Sequence, residues 1–118
     1  MAITEITEAG YESIRRYIEN GWNYIELFDD TDTSLGRWEI NSAKANWIHA
    51  DGDQTLIARL IVTGADVGVG NTAKGTRFFE TSSSTTILHT SDFNYMFTFG
   101  DADDQLTVEH SIEVPKVE

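Results

Sequence analysis

The feature that most constrains the fold of this chain is a two-residue alternation of side chains in its last third. In residues 93–99 the aromatic side chains fall on one face: Phe93, Tyr95, Phe97 and Phe99. The opposite face carries Asn94, Met96 and Thr98. Because successive side chains of a β-strand point to opposite sides of a sheet, this pattern predicts a half-buried strand.

Residues 105–114 repeat the alternation. The inward set is Leu106, Val108, Ile112 and Val114, and the outward set is Thr107, Glu109, Ser111 and Glu113. His110 falls in phase with the inward set, which predicts a histidine at the edge of the core with a hydrogen-bond partner, in preference to a ligand or a base. Pro115 is expected to end the strand because it has no N–H to donate.

Further strands are predicted at residues 22–28, 36–40, 45–50, 54–63, 76–80 and 84–90. Clusters of turn-forming residues separate them, at 29–34, 51–53, 64–75, 81–84 and 100–104. Short strands that recur about every ten residues are typical of antiparallel sandwiches and barrels. We therefore expect a mainly β fold, an antiparallel, jelly-roll-like β-sandwich of seven to eight strands.

The N-terminal segment follows a helical period instead. Thr7 is a candidate N-cap, preceded by Ile6, which can pack on Tyr11. One stripe of a 3.6-residue period carries Tyr11, Ile14, Tyr17 and Ile18. Asn20-Gly21 is expected to stop the helix by adopting positive φ. These signals predict one short helix over about residues 8–19, with its apolar stripe packed on a sheet.

Length and charge narrow the class of protein. The 118 residues suffice for one core, so residues 1–118 are expected to form a single domain. Twenty acidic residues against eight Lys and Arg give a formal net charge of −12. Nucleic acids and anionic membranes attract clustered cations, so neither is an expected partner. The acidity suits either an ordinary acidic surface or a host that lives in brine, and composition leaves both open.

Covalent and membrane features are also constrained. The chain has no Cys, which excludes disulfides, thiolate metal sites and Cys nucleophiles. It has no apolar run of 18 residues, and its first residues lack the basic start and apolar stretch of a signal peptide.

The string most similar to a cofactor motif is Gly68–Ala73, a formal match to the dinucleotide-binding fingerprint. That fingerprint opens a helix, whereas residues 76–80 here are predicted as a strand, so a flexible hairpin loop is the preferred interpretation. Gly70 and Gly75 have the spacing of a P-loop, but Thr76 stands where its Lys belongs. No cofactor is expected.

Other catalytic and metal-binding patterns are incomplete. Aspartates cluster at residues 29–32, 51–53 and 101–104, where solvated turns are the preferred interpretation and calcium binding stays open. His49, His89 and His110 lack the spacing of a zinc motif, and Ser82–Ser84 lack a nucleophile elbow. We therefore predict no catalytic and no metal-binding residues, and no enzyme. Trp22, Trp38, Trp47 and Tyr24 are predicted to fill the core or an interface; the alternative is a carbohydrate platform.

Laid in order, these segments resemble a family of small structural modules from tailed bacterial and archaeal viruses. The family's opening Ile-Thr-x-x-Gly-x-x-x-Ile-Arg helix is matched by Ile6–Arg15, and its closing Asp-Gln-Leu-Thr-Val strand by residues 104–108. The strand at 24–27, the Thr/Asp-rich loop at 30–36 and the segment at 76–83 fall in corresponding places. Two departures are Phe28–Thr31, where the family has Gly-Thr-Gly-Thr, and the long loop at 64–75.

The resemblance implies a virion protein that works by folding and assembling and has no catalytic residues. The absence of coiled-coil heptads and fibre repeats favours a stand-alone block on the outside of the particle, as a head decoration, a turret or a tail-periphery component. Its expected partners are further copies of itself and other virion proteins. The alternative is a carbohydrate-binding module whose partner is a host surface glycan. Head or tail location and oligomer symmetry stay open.

Overall fold

The computed structural model of the protein describes residues 6–51 and 53–114. Two helices, α1 (Glu8–Gly21) and α2 (Gly64–Val67), accompany seven strands. The strands are β1 (Tyr24–Asp29), β2 (Ser34–Glu39), β3 (Ala45–Trp47), β4 (Thr55–Thr63), β5 (Thr72–Phe79), β6 (His89–Thr98) and β7 (Gln105–Glu113). No helix among these residues is long and apolar enough to cross a membrane.

The strands form two antiparallel sheets. A four-stranded sheet has the order β2-β1-β5-β6, and a three-stranded sheet has the order β3-β4-β7. The shared core contains Ile25, Leu27, Leu60, Phe78 and Val108, all of them buried. The predicted mainly β, antiparallel sandwich-like fold of seven to eight strands with a helix near the N-terminus is therefore confirmed, with seven strands observed.

Strand β7 confirms the alternation most directly. Its inward side chains Val108, His110 and Ile112 are buried, and its outward residues are exposed. The β4–β7 ladder runs without a break from the pair Thr55 and Glu113 to the pair Thr63 and Gln105. Pro115, predicted to end this strand, lies outside the described residues.

Two strand predictions are wrong. Residues 84–90 do not form a strand of their own: residues 80–88 are irregular, and β6 begins only at His89. Tyr95 was predicted to share the inward face of Phe97 and Phe99, but its side chain is 89% exposed. The reason is an irregularity in the β5–β6 pairing, which places residues 93–96 of β6 opposite the single residue Lys74.

Helix α1 begins where predicted, and Thr7 Oγ1 accepts a hydrogen bond from the Gly10 amide at 3.2 Å. It ends two residues later than predicted, at Gly21, and neither Asn20 nor Gly21 adopts positive φ. The expectation that its apolar stripe packs on a sheet holds only in part. Ile18 is buried, whereas Ile14 is 40% exposed and Tyr17 is 63% exposed.

The Thr7 cap gives a first prediction. Replacing Thr7 by Ala removes the acceptor for an otherwise unpaired helix amide, which typically costs about 1 kcal/mol. We expect the free energy of unfolding, measured with urea, to fall by about that amount. Thr85→Ala, at an exposed threonine of the irregular residues 80–88, is the composition-matched control, and its unfolding midpoint should stay unchanged. An unchanged midpoint for Thr7→Ala would contradict a stabilising cap.

The connection between β4 and β5 corrects a second interpretation. Residues 68–73 were expected to lie in a hairpin loop, but β4 and β5 belong to different sheets, so the loop crosses the sandwich. It begins with α2 and continues through Gly68 and Gly70, whose φ values are 110° and 94°. The motif is followed by β5, not by a helix, so its glycines permit the crossing and do not form a phosphate-binding turn.

The outer face of the four-stranded sheet is also covered. Glu26 lies in a cross-strand row between Arg37 and Arg77 and is 4% exposed. Residues 80–88, which we call the strap, pass near this face, and Arg37 Nη1 donates to the carbonyls of Thr81, Ser82 and Ser84 at 2.9–3.0 Å. This serine- and threonine-rich segment is thus held by hydrogen bonds from Arg37 to its carbonyls, and not by pairing with a neighbouring strand.

Candidate functional site

An apolar groove opens at the end of the sandwich where β7 finishes. It has a volume of about 580 Å³. Six side chains form most of its surface: Tyr11, Ile14, Tyr17, Trp22, His89 and Ile112. We call this opening the helix groove. Its size falls within the range of ligand and peptide sites, and its surface is mostly aromatic and aliphatic.

Helix α1 forms one side of the groove because the opposite side of the helix is tied to the sandwich. The Trp47 indole Nε1 donates to the carbonyl of Glu19 at 3.2 Å. His49 Nε2 lies 2.6 Å from Glu19 Oε2, and its Nδ1 accepts the Ile57 amide at 3.0 Å. An Nδ1 that accepts a backbone N–H places the ring hydrogen on Nε2, so neutral His49 donates to Glu19. These contacts hold α1 in place.

The only imidazole of the groove belongs to a chain of three side chains that runs into the core. His89 Nδ1 lies 2.7 Å from His110 Nε2, and His110 Nδ1 lies 2.8 Å from Thr76 Oγ1. His110 and Thr76 are fully buried, whereas His89 is half-buried. The predicted core-edge position of His110, with a hydrogen-bond partner, is therefore found, although His110 lies deeper than expected.

Aromatic packing fixes this chain. Phe78 stacks on Trp47 with a centroid distance of 5.5 Å and an angle of 1° between the ring planes. The edge of Phe78 meets His110 at 4.6 Å, and Trp22 packs at 6.1 Å on its other side. A histidine surrounded by rings in this way has no water to solvate a charge.

Burial accordingly lowers the pKa of both histidines. The pKa of His110 falls to about 3, first because burial penalises the charged imidazole and second because of the charge of His89. The pKa of His89 is also lowered by burial. Both rings are thus neutral at pH 7, and a single hydrogen occupies the 2.7 Å contact between them.

Two neutral arrangements satisfy this chain. Either the Thr76 hydroxyl donates to His110, which donates to His89, or His89 donates to His110, which donates to Thr76. The free nitrogen of His89 carries a hydrogen in the first arrangement and a lone pair in the second. The geometry resembles a nucleophile–base pair, but the Thr76 hydroxyl is fully buried and no substrate can reach it. The chain is suited to holding Phe78, β5 and β7 together.

The aspartate clusters lie in turns. Asp29 Oδ1 accepts the amides of Thr31 and Thr33, and these hydrogen bonds, with that of Thr33 the largest cause, lower its pKa. Asp104 Oδ2 accepts the amides of Gly100 and Asp101, which precede it in its own turn. Within residues 6–51 and 53–114, no group of three or more His, Asp or Glu side chains is arranged to hold a metal ion.

The four aromatic residues that were considered for a carbohydrate platform as the alternative, Trp22, Trp38, Trp47 and Tyr24, do not share one surface. Trp38 and Trp47 pack against the core from opposite sheets, and Tyr24 lies on the outer face near Glu39. Only Trp22 lines the helix groove, where it joins Tyr11 and Tyr17. The interpretation that these aromatic residues fill the core thus fits Trp38 and Trp47, while Trp22 contributes to both the core and the groove.

The sequence analysis identified the helical stripe that lines the groove, but it did not predict that a groove would form. The partial exposure of that stripe depends on the position of α1. This position is fixed by the hydrogen bonds of Trp47 and His49 to Glu19, which the sequence pattern does not reveal. His89 was recognised as one of three histidines, with no signal that it would meet His110.

Comparison of the chain with protein-family models, with curated proteins and with solved structures finds no match. The resemblance of residues 6–15 and 104–108 to modules of tailed viruses stays a prediction. What the chain does is inferred from its surfaces.

Proposed function

We propose that this chain is a non-enzymatic structural protein that works by associating with further copies of itself through the helix groove. The observation that carries the proposal is the exposure of the apolar stripe of α1. Tyr17 is 63% exposed and Ile14 is 40% exposed beside the half-buried ring of Trp22. Contiguous apolar surface of this kind is characteristic of a protein interface, where large aromatic side chains contribute most of the binding energy.

The composition of the groove favours a protein surface over a sugar as its occupant. Its polar side-chain groups are those of His89 and Glu113, the two tyrosine hydroxyls and the Trp22 indole N–H, and its other lining side chains are aliphatic. A glycan requires a donor or acceptor for most of its hydroxyls, since a buried unpaired hydroxyl is costly. An apolar side chain from another copy requires none.

We further propose, from the resemblance in sequence, that the assembled protein lies on the outside of a tailed-virus particle, as a head decoration, a turret or a tail-periphery component. The net charge of −12 supports an outward location, because a surface that faced packaged DNA would repel its phosphates. The same charge opposes association of identical chains, so assembly should strengthen with salt.

Light scattering of the purified protein at low and at molar salt tests self-association. We expect a closed oligomer whose mass falls to that of the protomer in Tyr17→Asp, because a buried carboxylate in the groove has no partner. Tyr95→Asp is the matched control: Tyr95 is more exposed than Tyr17 but lies outside the helix groove, and its oligomer should persist. A wild-type protein that stays monomeric at both salts contradicts the proposal.

The carbohydrate alternative is kept by one observation, the presence of Tyr11, Tyr17 and Trp22 in a single concave surface. It predicts a monomer that binds glycans, with binding lost in Tyr17→Ala and unaffected in Tyr95→Ala. Screening the monomer against a glycan array separates this outcome from assembly.

A further inference from the structure

A second surface, distinct from the helix groove, is formed where β6 departs from its partner strand. The β5–β6 ladder passes from the pair Gly75 and Asp92 directly to the pair Ala73 and Phe97. Residues 93–96 therefore have only Lys74 opposite them, and they arch away from the ladder. Tyr95 and Met96 at the top of this arch are 89% and 59% exposed.

The neighbouring edge of the other sheet is open. Strand β7 pairs with β4 on one side through nine consecutive residue pairs. On its other side β7 is the edge of the three-stranded sheet, and within the described residues no backbone hydrogen bond joins it to β6. The four-stranded sheet thus faces a sheet with one strand fewer. A long, regular edge of this kind offers a row of unpaired N–H and C=O groups to another strand.

The arch and the edge enclose a groove, which we call the strand slot. It has a volume of about 360 Å³ and is lined by residues 93–97 on one side and by residues 106–109 on the other. Phe93, Phe97 and Leu106 are half-buried there and pack against the core. An extended peptide placed beside β7 would hydrogen-bond to its edge and cover these apolar side chains with alternate residues of its own.

The charge of the slot selects the occupant. Residues 89–114 contain six carboxylates, at Asp92, Asp101, Asp103, Asp104, Glu109 and Glu113, and no Lys or Arg. Two cations lie on strands beside the slot, and both are paired with carboxylates: Lys74 of β5 with Asp32 at 3.5 Å and Arg59 of β4 with Glu109 at 2.9 Å. A second copy of this chain would bring the same negative edge, whereas a basic strand is attracted along the whole length of β7.

We propose that the strand slot binds an extended, basic segment of a partner protein, with apolar residues alternating with Lys or Arg, as a fourth strand beside β7. The apolar residues of that segment contact Phe93, Phe97 and Leu106, and its cations meet the carboxylates of residues 89–114. This interaction is independent of the helix groove, because the two openings share no side chain.

A designed peptide tests the proposal directly. A fluorescent seven-residue peptide that alternates Lys and Val is titrated with the full-length protein at low salt, and anisotropy is measured. The two control peptides are a Glu–Val peptide of the same length and a Lys–Val peptide N-methylated at every backbone amide, which has no N–H to donate to a strand. We expect the Lys–Val peptide to bind at least about 10-fold more tightly than either. Amide exchange should slow along β7.

Charge variants provide the matched control. Asp92→Asn together with Glu109→Gln is expected to weaken the Lys–Val peptide about 3-fold or more, and Asp30→Asn, an exposed change in another turn, is expected to leave it unchanged. If the N-methylated peptide binds as tightly as the unmodified Lys–Val peptide, strand docking is overturned and the binding is nonspecific charge attraction. Absence of binding, or β7 amides already protected at high protein concentration by a second copy, would overturn the proposal as well.

Discussion

Replacing Glu26 by Gln is expected to lower the free energy of unfolding by about 3–5 kcal/mol, the largest effect of any single neutral substitution on the outer face of the sheet. Glu26 is 4% exposed and accepts from two arginines. Arg77 Nε donates to Oε2 at 2.6 Å, and Arg37 Nε donates to Oε1 at 3.2 Å, with Arg37 Nη2 in ion-pair contact with Oε1 at 3.1 Å. Gln keeps the shape and removes the one negative charge between two cations.

The guanidinium groups of both arginines remain shielded from water when the negative charge of Glu26 is lost. Their side chains are only 13–16% exposed. Arg37 lies 3.6 Å from the centroid of the Phe79 ring and is held by three carbonyls of the strap, while Arg77 lies over Phe28 and donates to the Asp32 carbonyl at 3.1 Å. Removing one partner of such a buried network leaves uncompensated charge, which is why the loss exceeds that of a surface pair.

Urea unfolding at neutral pH measures this effect, with Glu39→Gln as the control. Glu39 is an exposed glutamate on β2 of the same sheet, and its replacement should change the free energy of unfolding by less than about 1 kcal/mol. Equal, small effects of the two substitutions would show that the Arg37–Glu26–Arg77 row contributes little. If Glu26→Gln does not fold, Arg37→Lys reports on the same row, because Lys cannot donate at once to Glu26 and to the strap.

The parts of the fold that sequence predicted are those set by local pattern. β7 was anticipated because its alternation is regular along its whole length, and α1 because Thr7 and a helical stripe mark it. Residues 84–88 of the strap were predicted as the start of a strand, whereas the turn predicted at 81–84 agrees with their irregular conformation. The conformation of the strap depends on Arg37, which binds three of its carbonyls from more than 40 residues away in the sequence.

Features that depend on register were out of reach. Glu26 meets Arg37 and Arg77 only because three strands align those residues in one row, and one residue of slippage would place them on opposite faces. The arch of β6 arises from three extra residues between two paired positions, with no glycine or proline to mark it. His110 was placed in the core by its phase, but its contacts with Thr76 and His89 span 34 and 21 residues.

Protonation of His110 in the unfolded chain should lower the free energy of unfolding as the pH falls. This loss should begin at a higher pH than the losses contributed by Asp29 and Asp66. The pKa of His110 is about 3 in the folded protein against 6.5 in the unfolded chain, so the unfolded state binds more protons between these values. Stability is therefore complete above pH 6.5 and is lost as the pH falls, at about 1.4 kcal/mol for each pH unit. The pKa values of Asp29 and Asp66 are lowered from 3.8, so their contributions are lost only below that pH.

The geometry explains why the histidine pair cannot absorb this proton without cost. With one proton added, the 2.7 Å contact between His89 and His110 still holds one hydrogen, and the charge resides either on buried His110 against Phe78 or on half-buried His89, whose pKa is also lowered by burial. With two protons, both facing nitrogens carry hydrogens and the contact is repulsive. Unfolding exposes both rings and relieves both costs.

Urea titrations from pH 7 to pH 4.5 measure the effect, for which we expect a loss of about 2–3 kcal/mol in the wild type. His110→Gln should remove most of this pH dependence, whereas His49→Gln should retain it, because His49 lies outside the Thr76–His110–His89 chain. An NMR titration of the folded wild type supplies a readout that does not depend on the variants folding. A His110 ring that titrates near 6.5 in the native protein, or a free energy of unfolding that is flat over this range, would contradict the assignment of acid sensitivity to the buried pair.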